Sequence, residues 1–327
     1  MNHFRILLLL LISTYIIFGC NKNNEGNQSY DFIYETIVSD EPVNLEEINS
    51  IYDDYNSALP YPAGRFGIYF STNRNSNGGH FDFIYKAMDI SYHSRDDVLN
   101  INHVTTSNTN DRLDFLLDEI ATEFDEFGPY PYWSSSDYKF FLYANNENED
   151  FDIKYASIKK GDEDDYAVNQ SFTSLNSAFD DFYPCISEDQ IYFCSNREDN
   201  RFDIYSTIFN IDEIDPSIQE IANNPIERNE ILSSDKDDKC PYIEDDIMVF
   251  TSDREGGFGG FDLYYSKRVD GNWTEAINFG PKINSESDEY RPIIIPFLDF
   301  EEIMLVFSSN REGGKGGFDL YSVRVKI

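Results

Sequence analysis

Asn284-Ser-Glu-Ser-Asp-Glu-Tyr-Arg-Pro292, followed by Val306-Phe-Ser-Ser-Asn-Arg-Glu-Gly-Gly-Lys-Gly-Gly-Phe-Asp-Leu-Tyr321, is a phrase that this chain states five times. The acidic pair recurs as Asp53-Asp54, Asp125-Glu126, Asp180-Asp181, Asp237-Asp238 and Asp288-Glu289. A proline follows at a fixed offset in four copies (Pro129, Pro184, Pro241 and Pro292), while the first copy uses Pro60 or Pro62. Each copy then carries a short apolar strand and closes on Phe81-Asp82, Phe151-Asp152, Phe202-Asp203, Phe261-Asp262 or Phe318-Asp319. Repeats of roughly 50 to 70 residues, each holding several short strands, are the mark of a radial β array.

The strand pieces alternate apolar and polar residues and are rich in Ile, Val, Phe and Tyr, which is strand composition at strand period. The glycine runs 256–257, 259–260, 313–314 and 316–317 join two such strands, where a tight hairpin asks for positive φ. A phosphate-binding loop would need a following Lys-Ser or Lys-Thr and a helix, and neither is present. About four strands per copy make a small antiparallel sheet that buries both faces only by stacking on its neighbours. The 27 Phe and 23 Tyr are suited to filling the space between such sheets.

The sequence therefore predicts an all-β propeller over residues 30–327, with about five four-stranded blades, or six if a degenerate blade hides in the long second unit. The fifth copy has three strands before Ile327, so Tyr30–Val38 is expected to complete the last blade and close the ring. Asp111–Phe124 is the best helical candidate. Arg74, Arg197, Arg254 and Arg311 recur with the Phe-Asp pair, and the second copy has Asn146 in the arginine position. These arginines are expected to pair with the Asp of Phe-Asp across the hairpin or to hold adjacent blades, leaving the second blade weaker but with no activity lost.

The segments 248–265 and 306–321 resemble the WD-like propeller repeats of TolB, which also occur in many surface and periplasmic proteins of Bacteroidetes. The resemblance implies a propeller with a binding or scaffolding role and no particular reaction.

Residues 1–19 read as a signal peptide, with Arg5 before an apolar run too short to span a membrane comfortably. The run ends in Ile17-Phe18-Gly19-Cys20, which resembles a lipoprotein cleavage site with Cys20 as the lipidated residue. Residues 20–29 form a polar tether. The expected location is the cell envelope, as an outer-membrane lipoprotein facing the periplasm or the exterior. Cys185 and Cys194 flank one predicted hairpin and are a candidate disulfide, with Cys240 left over. The lack of Cys-x-x-Cys leaves zinc or thioredoxin-like chemistry without support.

A formal charge of −36 repels nucleic acid and anionic lipid, and favours cations or basic partners. Five acidic pairs at equivalent positions before the channel-lining strand are expected to ring one channel mouth. Two readings of Asp54, Glu126, Asp181, Asp238 and Glu289 stay open: turn caps through backbone N–H groups, or a ring that binds a cation, Ca²⁺ being the most fitting. The leading functional expectation is a monomeric, lipid-anchored, non-enzymatic propeller that binds or scaffolds an envelope protein or glycan. The alternative is a five-bladed glycoside hydrolase with carboxylates in the central channel. Against it stands the recurrence of the acids in every blade, since a catalytic pair is unique and asymmetric. A Ser-His-Asp hydrolase is disfavoured by the four histidines, of which His3 lies in the leader, and by the absence of Gly-x-Ser-x-Gly.

Overall fold

The computed structural model describes residues 31–37, 39–59, 66–93, 98–103, 113–134, 137–208, 224–296 and 303–327. The leader, Cys20 and the tether lie outside the described residues. The described chain is a five-bladed β-propeller of antiparallel sheets. The inner strands are Asp54–Ala58, Glu126–Trp133, Asp181–Ser187, Asp238–Glu244 and Glu289–Pro296. Each touches the next around the ring, and the fifth touches the first.

Closure uses an N-terminal strand, but a later one than Tyr30–Val38. Val43–Asn44 pairs with Tyr321 and Ser322 and completes the fifth blade. Asp31–Ile37 pairs instead with Val98–His103 and adds a fifth strand outside the first blade. No sixth blade is present among the described residues. The long second unit is accounted for by the extended hairpin of Asp82–His93 and Val98–His103. The expected helix over 111–124 shrinks to a 3-10 turn, Asp114–Leu116, and one α turn, Leu117–Ile120. Ala121 leaves the helix at ψ 132°, and Leu113, Leu116, Leu117 and Ile120 are buried as a plug beside Tyr69, Phe141 and Tyr143. Tertiary burial, not helix propensity, sets this segment.

Every inner strand carries a bulge at its third residue, with a register shift around it. Asn56, Gly128, Tyr183, Cys240 and Arg291 all have φ between 48° and 65°. A bulge turns the unpaired residue and raises the local twist. The following residue is Pro129, Pro184, Pro241 or Pro292 in four blades. Proline is tolerated there because the inner strand is the edge of its sheet and faces the channel without a ladder partner.

The glycine runs do more than turn. A Cβ at Gly316 would lie 1.9 Å from the Tyr52 carbonyl oxygen, and one at Gly259 2.2 Å from that of Ser287. Both glycines are required because the loop of one blade lies against the backbone of the next.

Candidate active site at the channel mouth

The two members of each acidic pair have different partners. The first accepts the backbone N–H of the Phe in the preceding blade's Phe-Asp. Phe81 to Asp125, Phe151 to Asp180, Phe202 to Asp237, Phe261 to Asp288 and Phe318 to Asp53 span 2.8–3.1 Å. In four junctions the same Phe carbonyl accepts the N–H of the second acid at 2.7–2.9 Å. The repeat thus clamps each blade to the next, and Phe318 with Asp53 closes the circle.

The second acids are fully buried. In four blades each pairs with the repeat's arginine: Asp54 with Arg74, Asp181 with Arg197 at 2.6 Å, Asp238 with Arg254 at 2.5 Å and Glu289 with Arg311 at 2.8 Å. The arginine also donates through Nε to Thr72, Ser195, Ser252 or Ser309 at 3.0–3.2 Å. Its guanidinium lies 5.0–5.3 Å from the ring centre of Phe70, Phe193, Phe250 or Phe307. The same carboxylates accept the backbone N–H of Ser50, Ser177, Ser234 and Ser285 at 2.5–2.9 Å. The expected pairing of the arginines with the Asp of Phe-Asp is therefore corrected. Asp262 and Asp319 hold the N–H groups of their own glycine loops, and Asp203 pairs with Arg228 at 2.9 Å. Burial pushes the carboxyls of Asp238 and Glu289 above the ordinary range, against the pull of Arg254 on the one and of Ser285 and Arg311 on the other.

Glu126 breaks the pattern. The expected place of Asn146 is corrected. Asn145 faces Glu126 as Thr72, Ser195, Ser252 and Ser309 face the other acids, and Asn146 accepts the Asp125 N–H as Asn73 accepts that of Asp53. It is Glu147, paired with Lys154, that stands where the arginine would be. No cation pairs with Glu126 among the described residues. Thr122 donates to its Oε1 at 2.5 Å and Asn145 at 2.8 Å, while Oε2 is buried without a hydrogen-bond partner. Burial pushes its pKa up to about 7, the two hydrogen bonds opposing, with Asp82 and Asp125 adding negative charge nearby. Among the described residues no three His, Cys, Asp or Glu side chains gather into a group fit to hold a metal ion. Each of Asp54, Glu126, Asp181, Asp238 and Glu289 is instead engaged within its own blade.

What surrounds the mouth is aromatic. Residues after the acid pair supply Tyr55, Phe127, Phe182 and Tyr290, with Lys239 in the fourth blade, and the Phe-Asp pairs supply five more phenylalanines. Successive rings touch: Tyr55–Phe318 at 4.9 Å, Phe81–Phe127 at 5.0 Å, Phe127–Phe151 at 5.4 Å, Phe151–Phe182 at 4.3 Å and Phe182–Phe202 at 5.7 Å. Lys239 Nζ bridges the gap, 4.1 Å from the centre of Phe202 and 5.1 Å from that of Phe261. Burial holds the phenols of Tyr55, Tyr183 and Tyr290 well above their usual range, so they are neutral. Within this collar lies a cavity of about 260 Å³, walled by the rings, by Lys239 and by the carboxylate-bearing Asp180. The sequence reading missed this collar, although an aromatic directly after four of the five acid pairs was there to be seen. Cys185, Cys194 and Cys240 are buried free thiols, so the Cys185–Cys194 disulfide is not formed. Their strand register explains it: Cys194 faces Phe182, and Cys185 faces Tyr192.

No protein-family model and no curated protein matches the sequence. Solved structures do match the fold. A GH62 hydrolase in complex with xylotriose aligns with a TM-score of 0.51 at 8% identity, over 89% of this chain and 97% of that one. The α-L-arabinofuranosidase of Podospora anserina aligns at 0.50 and 11% identity, over 89% and 96%. An exo-β-1,3-galactanase from Clostridium thermocellum aligns at 0.50 and 12% identity, over 89% of this chain and 62% of its own. The expectation of a TolB-type, WD-like, non-enzymatic binding or scaffold propeller is corrected by these neighbours. Along most of its length this chain shares the fold of those structures.

Proposed function

We propose that the protein is a glycoside hydrolase that takes a sugar ring into the aromatic collar at the channel mouth. The observation that carries this reading is the break in five-fold equivalence at Glu126. The acids recur in every blade, but four are neutralised by an arginine and one is not. A carboxyl whose burial lifts its pKa to about 7 holds a proton near neutral pH and suits a general acid. Glu126 is fully buried and does not itself line the cavity; it precedes the wall residue Phe127 in its strand, and Asp180 is on that wall. In the proposed reaction the collar opens at Phe127 to admit substrate to Glu126, which gives its proton to the leaving-group oxygen as the glycosidic C–O bond breaks. Water bonds to the anomeric carbon and its proton passes to Asp180. Aromatic faces suit the apolar C–H face of a pyranose or furanose. At about 260 Å³ the cavity fits one ring better than an extended chain. The same proposal locates the enzyme at the cell envelope through the leader ending at Cys20.

Aryl glycosides and polysaccharides of arabinose, xylose and galactose are the substrates to assay first, by released phenol and reducing ends. Hydrolysis of at least one, with kcat/KM reduced about 10²- to 10⁴-fold in Glu126→Gln and Asp180→Asn, is the expected result. No hydrolysis across the panel, or activity that survives both substitutions, refutes the proposal.

A further inference from the structure

Below the collar the five bulge residues converge on the channel, and one of them is Arg291. Its side chain is fully buried and is the largest such side chain in the described protein. A guanidinium carries five donors and keeps its charge at any pH a protein meets. Here Nη1 and Nη2 reach only the Pro241 and Pro129 carbonyls, both at 3.4 Å, and Nε has no partner. The face of the group lies 5.2 Å from the ring centre of Tyr183.

Counter-charge is missing as well as donors' partners. Among the described residues no carboxylate lies within ion-pair reach of Arg291, whereas the four repeat arginines each have one. The titratable groups whose protonation feels Arg291 are Cys185, Cys194, Cys240 and Tyr242. Burial pushes the thiols of Cys185 and Cys240 up to about 12 and raises Cys194 and Tyr242 too, so none supplies a negative charge. An unpaired buried charge costs several kcal/mol, and arginine cannot escape by losing its proton. A second buried polar atom in the same layer, Asn56 Oδ1, is also without a partner, while Asn56 Nδ2 donates to the Tyr183 hydroxyl at 3.2 Å.

We propose that Arg291 holds a small monovalent anion, chloride in ordinary salt, on the channel axis through its Nε–H. One guanidinium calls for one negative charge. The net charge of −36 disfavours polyanions, and it also suppresses loose anion adsorption elsewhere. Asn56 Oδ1 is placed to accept from a water that hydrates the ion. This inference is independent of the hydrolase reading and concerns different residues.

Two measurements test it. Crystals of the wild-type protein soaked in sodium bromide are expected to show an anomalous peak in contact with Arg291 Nε. Thermal unfolding at fixed ionic strength is expected at higher temperature in chloride or bromide than in gluconate, rising with the logarithm of halide concentration. That halide dependence is expected to vanish in Arg291→Met. If Arg291→Met does not fold, the bromide peak decides alone. Equal melting in chloride and gluconate with no bromide at Arg291, or a halide effect that persists in Arg291→Met, overturns the proposal.

Discussion

Replacing Glu126 by Gln perturbs the one acid of its set that lacks a cation, and the effect follows from its surroundings. In the unfolded chain the carboxyl titrates near 4.5, and in the fold near 7. Between those values the folded state holds a proton that the unfolded state has released. Stability therefore falls as pH rises through this window, and the loss is complete above about pH 7. At 1.36 kcal/mol per pK unit the full loss is about 3 kcal/mol. Glutamine cannot ionise, and its Oε1 can accept from Thr122 and Asn145 as the glutamate does. Its amide NH₂ takes the place of Oε2, which has no hydrogen-bond acceptor, at a cost of about 1 kcal/mol. Glu126→Gln is thus expected to be slightly less stable than wild type at pH 5. At pH 8 it is expected to be more stable by about 2 kcal/mol, or roughly 5 °C in Tm. Glu244, whose carboxyl burial also lifts to about 7, contributes equally to both proteins and cancels in the comparison. Thermal unfolding of the two proteins across pH 5 to 8 measures the crossing. Parallel curves with no crossing would refute the argument that Glu126 is a buried acid without a counter-charge.

Three further predictions concern the repeat. Glu147→Arg supplies the absent guanidinium, so it should lower the Glu126 pKa and abolish hydrolysis, and it should stabilise the protein at pH 8 by only about 1 kcal/mol because the Glu147–Lys154 pair is lost; unfolding and turnover measured on the same sample check both halves. Arg254→Met leaves Asp238 buried and unpaired and should cost about 3–5 kcal/mol, with Asp238→Asn in the same chain recovering at least about 1 kcal/mol of it in a double-mutant cycle. Gly316→Ala, whose new Cβ meets the Tyr52 carbonyl, should cost about 3 kcal/mol. Gly256→Ala, at φ 92° with open space around it, should cost only about 1 kcal/mol; unfolding that ranks the two glycines the other way would show that the loops do not contact the next blade.

The blade count was readable from the chain because every blade solves the same problem with the same residues. Phe81 and its four counterparts must donate to the next blade, so Asp125 and its counterparts must be there to accept. What the sequence misassigned were partners at a distance. The arginines and the Phe-Asp pairs recur together, which suggested that they bond. In three dimensions the arginine reaches back to the acid that starts the inner strand, while the Phe reaches forward to the next blade. Recurrence reports that two residues serve the same structure, not that they touch. The closing strand was misplaced by a few residues for a related reason. Asp31–Ile37 has stronger strand composition than Val43–Asn44, but pairing with the fifth blade is set by where the chain leaves for Asp53, not by propensity.

Broken symmetry is the more telling signal in such a ring. Structural demands on a propeller are equal in every blade, whereas a bound ligand lies against some blades and not others. Positions that keep their residue five times have a role in the ring itself, and Asp180, whose clamp to Phe151 recurs in every blade, is set apart from its equivalents by the cavity it lines. Along the inner strands the first residue is always acidic, but the second is Tyr55, Phe127, Phe182, Lys239 and Tyr290, and the third is Asn56, Gly128, Tyr183, Cys240 and Arg291. The divergent second layer walls the cavity, and the divergent third layer carries the unpaired guanidinium. Glu126 belongs with them although its residue type fits the repeat, because the cation that silences its equivalents is the part that has changed. Counting identical acids argued against catalysis; counting their cations reverses that argument, because among the described residues one carboxyl of the five has none.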